Sequence, residues 1–263
     1  MKLINKWCLL AAMVALLCLL TFGSHRSSAV QTTAASRPAT TRATFDFERY
    51  TKKKPFKLNT LETTPYGPAW ADIIVQKSNF VECKGASIAL CYYSGPGPVT
   101  PCTIDGLGIA NCTCYEIPAG NPYLVDINAI LNLDTYLATV KRCGKDGSLC
   151  KPTGTREAPV CTAINNNTLI PGADLISTFS TYLEKQFPIH PTTCATPAAY
   201  AGCMTAPCKR TGKVDPNTGL PLVQCGCPTY TGPYQVGTAI SQDQCVLPGS
   251  YIWSAAYQPP KRQ

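Results

Sequence analysis

The chain has 263 residues, of which 14% are charged and 45% are hydrophobic, with a formal net charge of +8 and 16 cysteines. Two histidines exclude a histidine-rich zinc site, and the positive charges are too scattered for a nucleic-acid-binding surface, which needs a dense basic stripe with interleaved aromatic residues. No phosphate-binding loop occurs, and we expect neither a cofactor nor a resident metal ion.

The N-terminus has the features of an export signal. Lys2 and Lys6 give it a positive start, and residues 7–22 carry no charge and are nearly all apolar. Small residues allow cleavage after Ala29, so we expect residues 1–29 to be a signal peptide. The apolar stretch is slightly short for a spanning helix, which needs about 20 residues. The alternative is an uncleaved N-terminal anchor, which would then be the protein's only contact with a membrane.

A polar segment separates this leader from the rest of the chain. Residues 30–44 are rich in Ser, Thr and Ala and predict a disordered linker, because they cannot bury enough apolar surface to offset their ordering entropy. Lys52, Lys53, Lys54 and Lys57 follow it and predict a solvated N-terminal arm. We expect residues 45–263 to form a disulfide-rich α+β region.

The first half of this region predicts short strands and a hairpin. Residues 73–75 and 80–81 have the composition of strands, and a Gly-Pro loop at residues 95–98 excludes regular structure there. Between Cys102 and Cys112 the pair Asp105-Gly106 favours a tight turn, so that residues 108–117 form the returning strand.

Two amphipathic helices are predicted in the middle of the chain. Asp126, or alternatively Asn128, can cap a helix whose apolar residues recur from Ile127 to Val140. Residues 173–187 show a second apolar face at helical spacing, which Pro188 ends. Beyond it, residues 215–219 predict the turn of a second hairpin, between Cys208 and Cys225.

Ten cysteines form two similar clusters. The first contains Cys83, Cys91, Cys102, Cys112 and Cys114, and the second contains Cys194, Cys203, Cys208, Cys225 and Cys227. Each ends in a Cys-x-Cys pair followed by a Pro-Tyr-x-Val segment. The pattern predicts a degenerate internal duplication, with related halves at about residues 70–145 and 170–245. The alternative is convergent use of one kind of disulfide-stapled hairpin.

Four further cysteines complete the set of fourteen that follow the leader. Cys143 and Cys150 flank a compact loop that a local bridge could close, while Cys161 and Cys245 could join the middle of the chain to its end. In an oxidising compartment we expect all fourteen to pair, each bridge contributing about 2–4 kcal/mol. The spacing does not determine the connectivity.

The pair Cys225 and Cys227 is the most reactive-looking motif. Residues two apart on a strand point to the same face, so these sulfurs could exchange a disulfide with a substrate or bind a soft metal ion such as Cu(I). The structural alternative is that each cysteine bonds a different partner. We favour that interpretation, because neither cysteine has a nearby cation or helix N-terminus to lower its thiol pKa.

These features favour an exported, disulfide-stabilised, non-catalytic protein that presents rigid loops to a protein or carbohydrate. The predicted contact residues are Tyr92 and Tyr93 beside the Gly-Pro loop, and Tyr230 and Tyr234 in the second half. Two alternatives remain open. One is an extracytoplasmic thiol–disulfide oxidoreductase using Cys225 and Cys227, and the other is a membrane-anchored structural surface protein. Either way, we expect an extracytoplasmic location, secreted or periplasmic, with residues 7–22 as the only tether.

Overall fold

The structure is a computed structural model that describes residues 50, 56–59, 79–92, 101–105, 108–150, 157–184 and 190–257. The predicted leader and linker, the strand at residues 73–75, Lys52 to Lys54, Tyr93 and the Gly-Pro loop lie outside these residues. Within the described part of the chain, no helix is both long enough and apolar enough to span a membrane.

The described residues form mostly β-structure. The strands are β1 (Phe80–Lys84), β2 (Ile88–Leu90), β3 (Cys102–Ile104), β4 (Ile109–Ile117), β5 (Pro122–Asp126), β6 (Leu175–Thr178), β7 (Thr192–Ala201), β8 (Pro207–Val214), β9 (Pro221–Val236), β10 (Tyr251–Ser254) and β11 (Ala256–Tyr257). The α-helices are α1 (Leu133–Cys143) and α2 (Pro159–Asn165), and short 3-10 helices span Ile127–Ala129, Ser148–Cys150 and Gln242–Cys245. The described residues are thus mostly β-sheet with two α-helices, which agrees in part with the predicted α+β fold: there is more sheet than expected, and the helices are shorter.

Nine strands form one sheet, in the order β11-β9-β7-β10-β3-β4-β2-β6-β8. Strand β9 also pairs with β4 and with β8. These extra pairings close the sheet into two rings of five strands, one through β4, β2, β6, β8 and β9 and the other through β9, β7, β10, β3 and β4. Strands β4 and β9 belong to both rings. The pair β1–β5 forms a separate antiparallel sheet.

Both predicted hairpins are present, and their turns are held by aspartate side chains. Asp105 Oδ1 accepts a hydrogen bond from the Ile109 amide at 3.0 Å, where β3 turns into β4. Asp215 Oδ2 accepts one from the Thr218 hydroxyl at 2.8 Å, between β8 and β9. Short polar side chains favour such turns because they bond their own backbone a few residues onward.

The first predicted helix is split in two. Asp126 caps only the 3-10 helix, whereas α1 begins after Asn132, whose Oδ1 accepts a hydrogen bond from the Thr135 amide at 3.0 Å. The interruption changes which side of the helix faces inward, so Tyr136 is buried while Leu137, which belongs to the predicted apolar face, is 47% exposed.

The second predicted helix, over residues 173–187, is wrong. Residues 175–178 form β6, which is buried between β2 and β8. All four residues of this strand are buried, and the adjacent apolar residues Leu175 and Ile176 cannot be distinguished by their spacing alone from one face of a helix. Helix α2, which the sequence analysis missed, lies earlier in the chain and starts at Pro159, a favoured residue for the first helical turn.

The described residues on either side of the predicted lysine arm are docked on the body of the protein. Asn59 donates hydrogen bonds from its backbone and its side-chain amide to the carbonyls of Leu131 and Ile130, at 2.7 and 2.9 Å. Tyr50 is only 2% exposed, and its ring lies directly on Gly226 of β9, where an added Cβ would overlap it. Lys57 keeps an exposed side chain, as expected.

Candidate functional site

All fourteen cysteines beyond the leader are joined in seven disulfides. They are Cys83–Cys161, Cys91–Cys114, Cys102–Cys112, Cys143–Cys150, Cys194–Cys245, Cys203–Cys227 and Cys208–Cys225. The local bridge at Cys143 forms as expected. The expected Cys161–Cys245 bridge is wrong, because each of these cysteines bonds the first cysteine of the cluster that precedes it.

Four of the bridges pack together around β4 and β9, and we call them the central sulfur cluster: Cys91–Cys114, Cys102–Cys112, Cys203–Cys227 and Cys208–Cys225. All eight residues are buried, in one hydrophobic cluster with small residues such as Ala89 and Ala110. Serine hydroxyls reach two of the sulfurs. Ser177 Oγ lies 3.1 Å from Cys91 Sγ, and Ser254 Oγ lies 3.4 Å from Cys203 Sγ.

Cys225 and Cys227 each bond a different partner, as the structural interpretation of this pair predicted. Both are fully buried on β9. The sulfurs of Cys91, Cys114 and Cys225 lie within 4.8 Å of one another, as metal ligands would. They are all engaged in disulfides, however, and a metal ion needs thiolates. In this oxidised form the cluster has no sulfur free to bind a metal ion or to attack a substrate.

Two of the four tyrosines chosen from the sequence lie in the interior. Tyr230 and Tyr234 are buried on β9 and pack against Tyr200, with ring centroids 5.8 and 5.4 Å apart. The Tyr234 hydroxyl donates to the Cys245 carbonyl, and burial raises the pKa of this phenol to about 12. Neither side chain offers a surface to a ligand in this conformation, so we do not carry them forward as contact residues.

Tyr92 is half-buried and contacts a distant segment of the chain. Its hydroxyl donates to Gln235 Oε1 at 3.0 Å, and its ring meets Phe179 edge to face with centroids 6.1 Å apart. Burial raises the pKa of the Tyr92 phenol strongly. Because Gln235 lies 143 residues along the chain, this contact ties distant segments together.

An exposed loop that the sequence analysis missed lies at residues 246–251. Val246 and Tyr251, at its ends, are 65% and 48% exposed. Cys245 is bonded to Cys194 immediately before the loop, and Tyr251, its last residue and the first of β10, pairs with Thr103 of β3. The sequence signal was the apolar run Val246-Leu247-Pro248 directly after a cysteine.

Two hydrogen bonds fix this loop further. The Ser250 carbonyl accepts from the Ile104 amide at 2.8 Å, and the Trp253 indole donates to the Gln244 carbonyl at 2.8 Å. A loop held at both ends loses little entropy on binding, so its exposed side chains are well placed to make contacts. Loop 246–251 thus combines exposed apolar surface with a fixed position.

Two other features are weaker candidates for a functional site. An open depression of 470 Å³ between α1 and α2 is lined by Arg142, Glu157, Pro159, Thr162, Ala163 and Thr168. Arg142 Nε donates to the Glu157 carbonyl at 3.0 Å, so the guanidinium is partly engaged in holding the two helices together.

The second feature is the Glu184 carboxyl, whose pKa is raised to about 7 by burial. Its Oε1 is buried without a hydrogen-bond partner among the described residues.

Comparisons with known protein families, with curated proteins and with solved structures give no significant match to this chain.

Proposed function

We propose that this is an exported, disulfide-stabilised, non-catalytic protein that binds another protein through loop 246–251. One observation carries the proposal: Val246 and Tyr251 are highly exposed, yet a disulfide and a strand hold the two ends of their loop in place. A protein is favoured over a carbohydrate because an aliphatic side chain such as Val246 gains by entering an apolar pocket, whereas sugars need aromatic stacking and hydrogen bonds.

The seven disulfides support an oxidising, extracytoplasmic environment, because such bonds are rare where thiols are kept reduced. They also support a non-catalytic role, since the central sulfur cluster is buried and fully bonded. The oxidoreductase alternative requires at least one reactive thiol in the native protein. Thiol titration without denaturant of the chain after residue 29, which lacks Cys8 and Cys18, should find none, and two or more reactive thiols would favour the enzyme instead.

We infer further that the body of the protein is an internal duplication. In each half the second cysteine of the cluster bonds the fifth, and the third bonds the fourth. The first bonds a sixth, Cys161 in one half and Cys245 in the other. Convergent use of one hairpin would explain the third-to-fourth bridge, but it would not reproduce all three bridges.

Strand register supports the same inference. Cys83 lies opposite Tyr123, and Cys194 lies opposite Tyr234, so each Pro-Tyr-x-Val segment pairs in one register with its own cluster. Cys112 lies opposite Cys225 in the antiparallel pair β4–β9, which places a pseudo-two-fold axis between these two residues. The corresponding halves are residues 80–178 and 192–254, whose bounds differ from those predicted from the cysteine spacing.

The binding proposal is tested with the double variant Val246→Ser/Tyr251→Ala. The matched control is Val214→Ser, which removes an apolar side chain 57% exposed elsewhere, on β8. The probes are an array of extracellular proteins and a glycan array. We expect the unmodified chain to bind a protein on the first array, with at least about tenfold weaker binding by the loop variant and none of this loss in the control.

Three outcomes would refute this proposal: equal binding by the loop variant, binding on the glycan array alone, or no binding on either array.

The membrane-anchored structural alternative remains a separate proposal. It is decided by the mass of the mature chain, because cleavage after Ala29 would remove residues 7–22 and with them the predicted tether.

A further inference from the structure

The two halves bring sulfur atoms of different disulfides into contact. Cys203 Sγ, of the Cys203–Cys227 bridge, lies 3.6 Å from Cys112 Sγ, of the Cys102–Cys112 bridge. On the other side of the pseudo-two-fold axis, Cys91 Sγ lies within 4.8 Å of Cys225 Sγ. In both places the second cysteine of one cluster lies close to the fourth cysteine of the other cluster.

We propose that the central sulfur cluster undergoes thiol–disulfide exchange between the halves when one of its bridges is reduced, so that Cys203 bonds Cys112. This inference goes beyond the proposed binding function and does not depend on it. It assigns the protein a redox-responsive crosslink, made from residues that act only structurally while every bridge is closed.

The chemistry balances with an external dithiol as the reductant. The dithiol reduces Cys203–Cys227 to two thiols and is itself oxidised to a disulfide. Cys203 loses a proton, and its thiolate attacks Cys112 Sγ. The Cys112–Cys203 bond forms while the Cys102–Cys112 bond breaks, and Cys102 leaves as a thiolate that takes up a proton. The exchange step itself consumes no further reductant.

The surroundings of Cys203 favour it as the attacking residue. It is 6% exposed whereas Cys227 is fully buried, so an external dithiol has more access to this sulfur than to its partner. The Ser254 hydroxyl, 3.4 Å away, can donate a hydrogen bond that stabilises the developing thiolate. Cys91 has the same two features, with the same exposure and with Ser177 at 3.1 Å.

The arrangement of the disulfides gives the exchange a simple readout. Each of the seven bridges joins two residues within 79–184 or two residues within 190–257. None of these bridges connects the two segments. A chain cut between Glu184 and His190 is therefore expected to separate into two fragments in denaturant, and only a new bridge would hold them together.

The experiment places a protease recognition sequence between Glu184 and His190 in the full chain and cleaves it after folding. Dithiothreitol is raised stepwise from one equivalent, and at each step the free thiols are blocked by alkylation. The concentration used is the lowest one at which an alkylated cysteine is found. On a non-reducing denaturing gel we expect a product with the mass of both fragments. Peptide mapping should find the Cys112–Cys203 bridge together with alkylated Cys102.

Two variants sharpen the test. Cys102→Ser/Cys112→Ser should abolish the Cys112–Cys203 peptide, and Ser254→Ala should slow its appearance without changing the oxidised map. The unmodified cut chain is informative by itself, even if the double variant fails to fold. Alkylated cysteines appearing while the fragments stay separate, with no peptide joining the halves, would overturn the proposal, and so would a joined product that lacks the Cys112–Cys203 peptide.

Discussion

The contact between Tyr50 and Gly226 gives the sharpest prediction about stability. In Gly226→Ala the new methyl group would overlap the Tyr50 ring, which must then leave its site beside Ile109 and Leu131. A buried tyrosine covers about 150–250 Å², which at about 25 cal/mol per Å² corresponds to about 4–6 kcal/mol. This is an upper bound, because unfolded chains already bury some surface and the displaced ring keeps some contacts. We expect a loss of about 2–4 kcal/mol in the free energy of unfolding.

Urea denaturation followed by fluorescence measures this loss, and a double-mutant cycle assigns it. With a slope of about 2 kcal/mol per M urea, the midpoint should fall by about 1–2 M. In the Tyr50→Ala background the same substitution should cost nothing and could stabilise by about 0.4–1 kcal/mol, because Gly226 has no positive φ. The reasoning fails if Gly226→Ala unfolds within about 0.5 kcal/mol of the unmodified chain, or costs equally in both backgrounds.

Three further predictions concern the disulfides, an ionisable group and a helix cap. Replacing both cysteines of Cys143–Cys150 by serine should destabilise the protein by about 2.5 kcal/mol, and the same change at Cys83–Cys161 by about 4.5 kcal/mol, because the second bridge closes a far longer loop. Equal losses in thermal unfolding would contradict this entropic ordering. The pKa of Glu184 is raised from 4.5 to about 7, so the folded state loses stability as the pH rises through that interval. Glu184→Gln should therefore unfold at a higher temperature than the unmodified chain at pH 8 but not at pH 4. Since this carboxyl is partly solvent-screened, the gain should be about 1 kcal/mol, and a pH-independent difference would exclude the mechanism. Asn132→Ala should cost about 2 kcal/mol, because it removes both the cap of α1 and the hydrogen bond from Asn132 Nδ2 to the Leu169 carbonyl, and Asn132→Asp should recover only the part due to the cap, about 1 kcal/mol; equal losses by circular dichroism would count against a capping role.

The hairpins were predictable because their information is local. Asp105 and Asp215 each bond backbone or side-chain groups only a few residues away, and the cysteines on either side repeat at recognisable positions. The repeated Pro-Tyr-x-Val segment pointed in the same direction. The bridges to Cys161 and Cys245 were beyond prediction, since their partners lie 78 and 51 residues away.

The failures arose where distant strands decide the outcome. Residues 175–178 pair with β2 and β8, which are far away in sequence, so nothing nearby distinguishes this strand from a helix face. Tyr230 and Tyr234 were predicted as contact residues because they lie in the second half at the place that matches Tyr92 and Tyr93. Both faces of β9 are covered, however, and in such a strand alternation does not show which side chains reach solvent.

The confinement of every bridge to its own part of the chain has a consequence for biogenesis. All four bonds of the N-terminal part can be completed while residues beyond 190 are still being synthesised, because none awaits a cysteine made later. Strand β3, by contrast, must wait for β10 before its outer edge is paired. The disulfides of the N-terminal part can thus form before its strands have all found their partners. The result is an oxidised intermediate in which the outer edge of β3 stays unpaired until β10 is available.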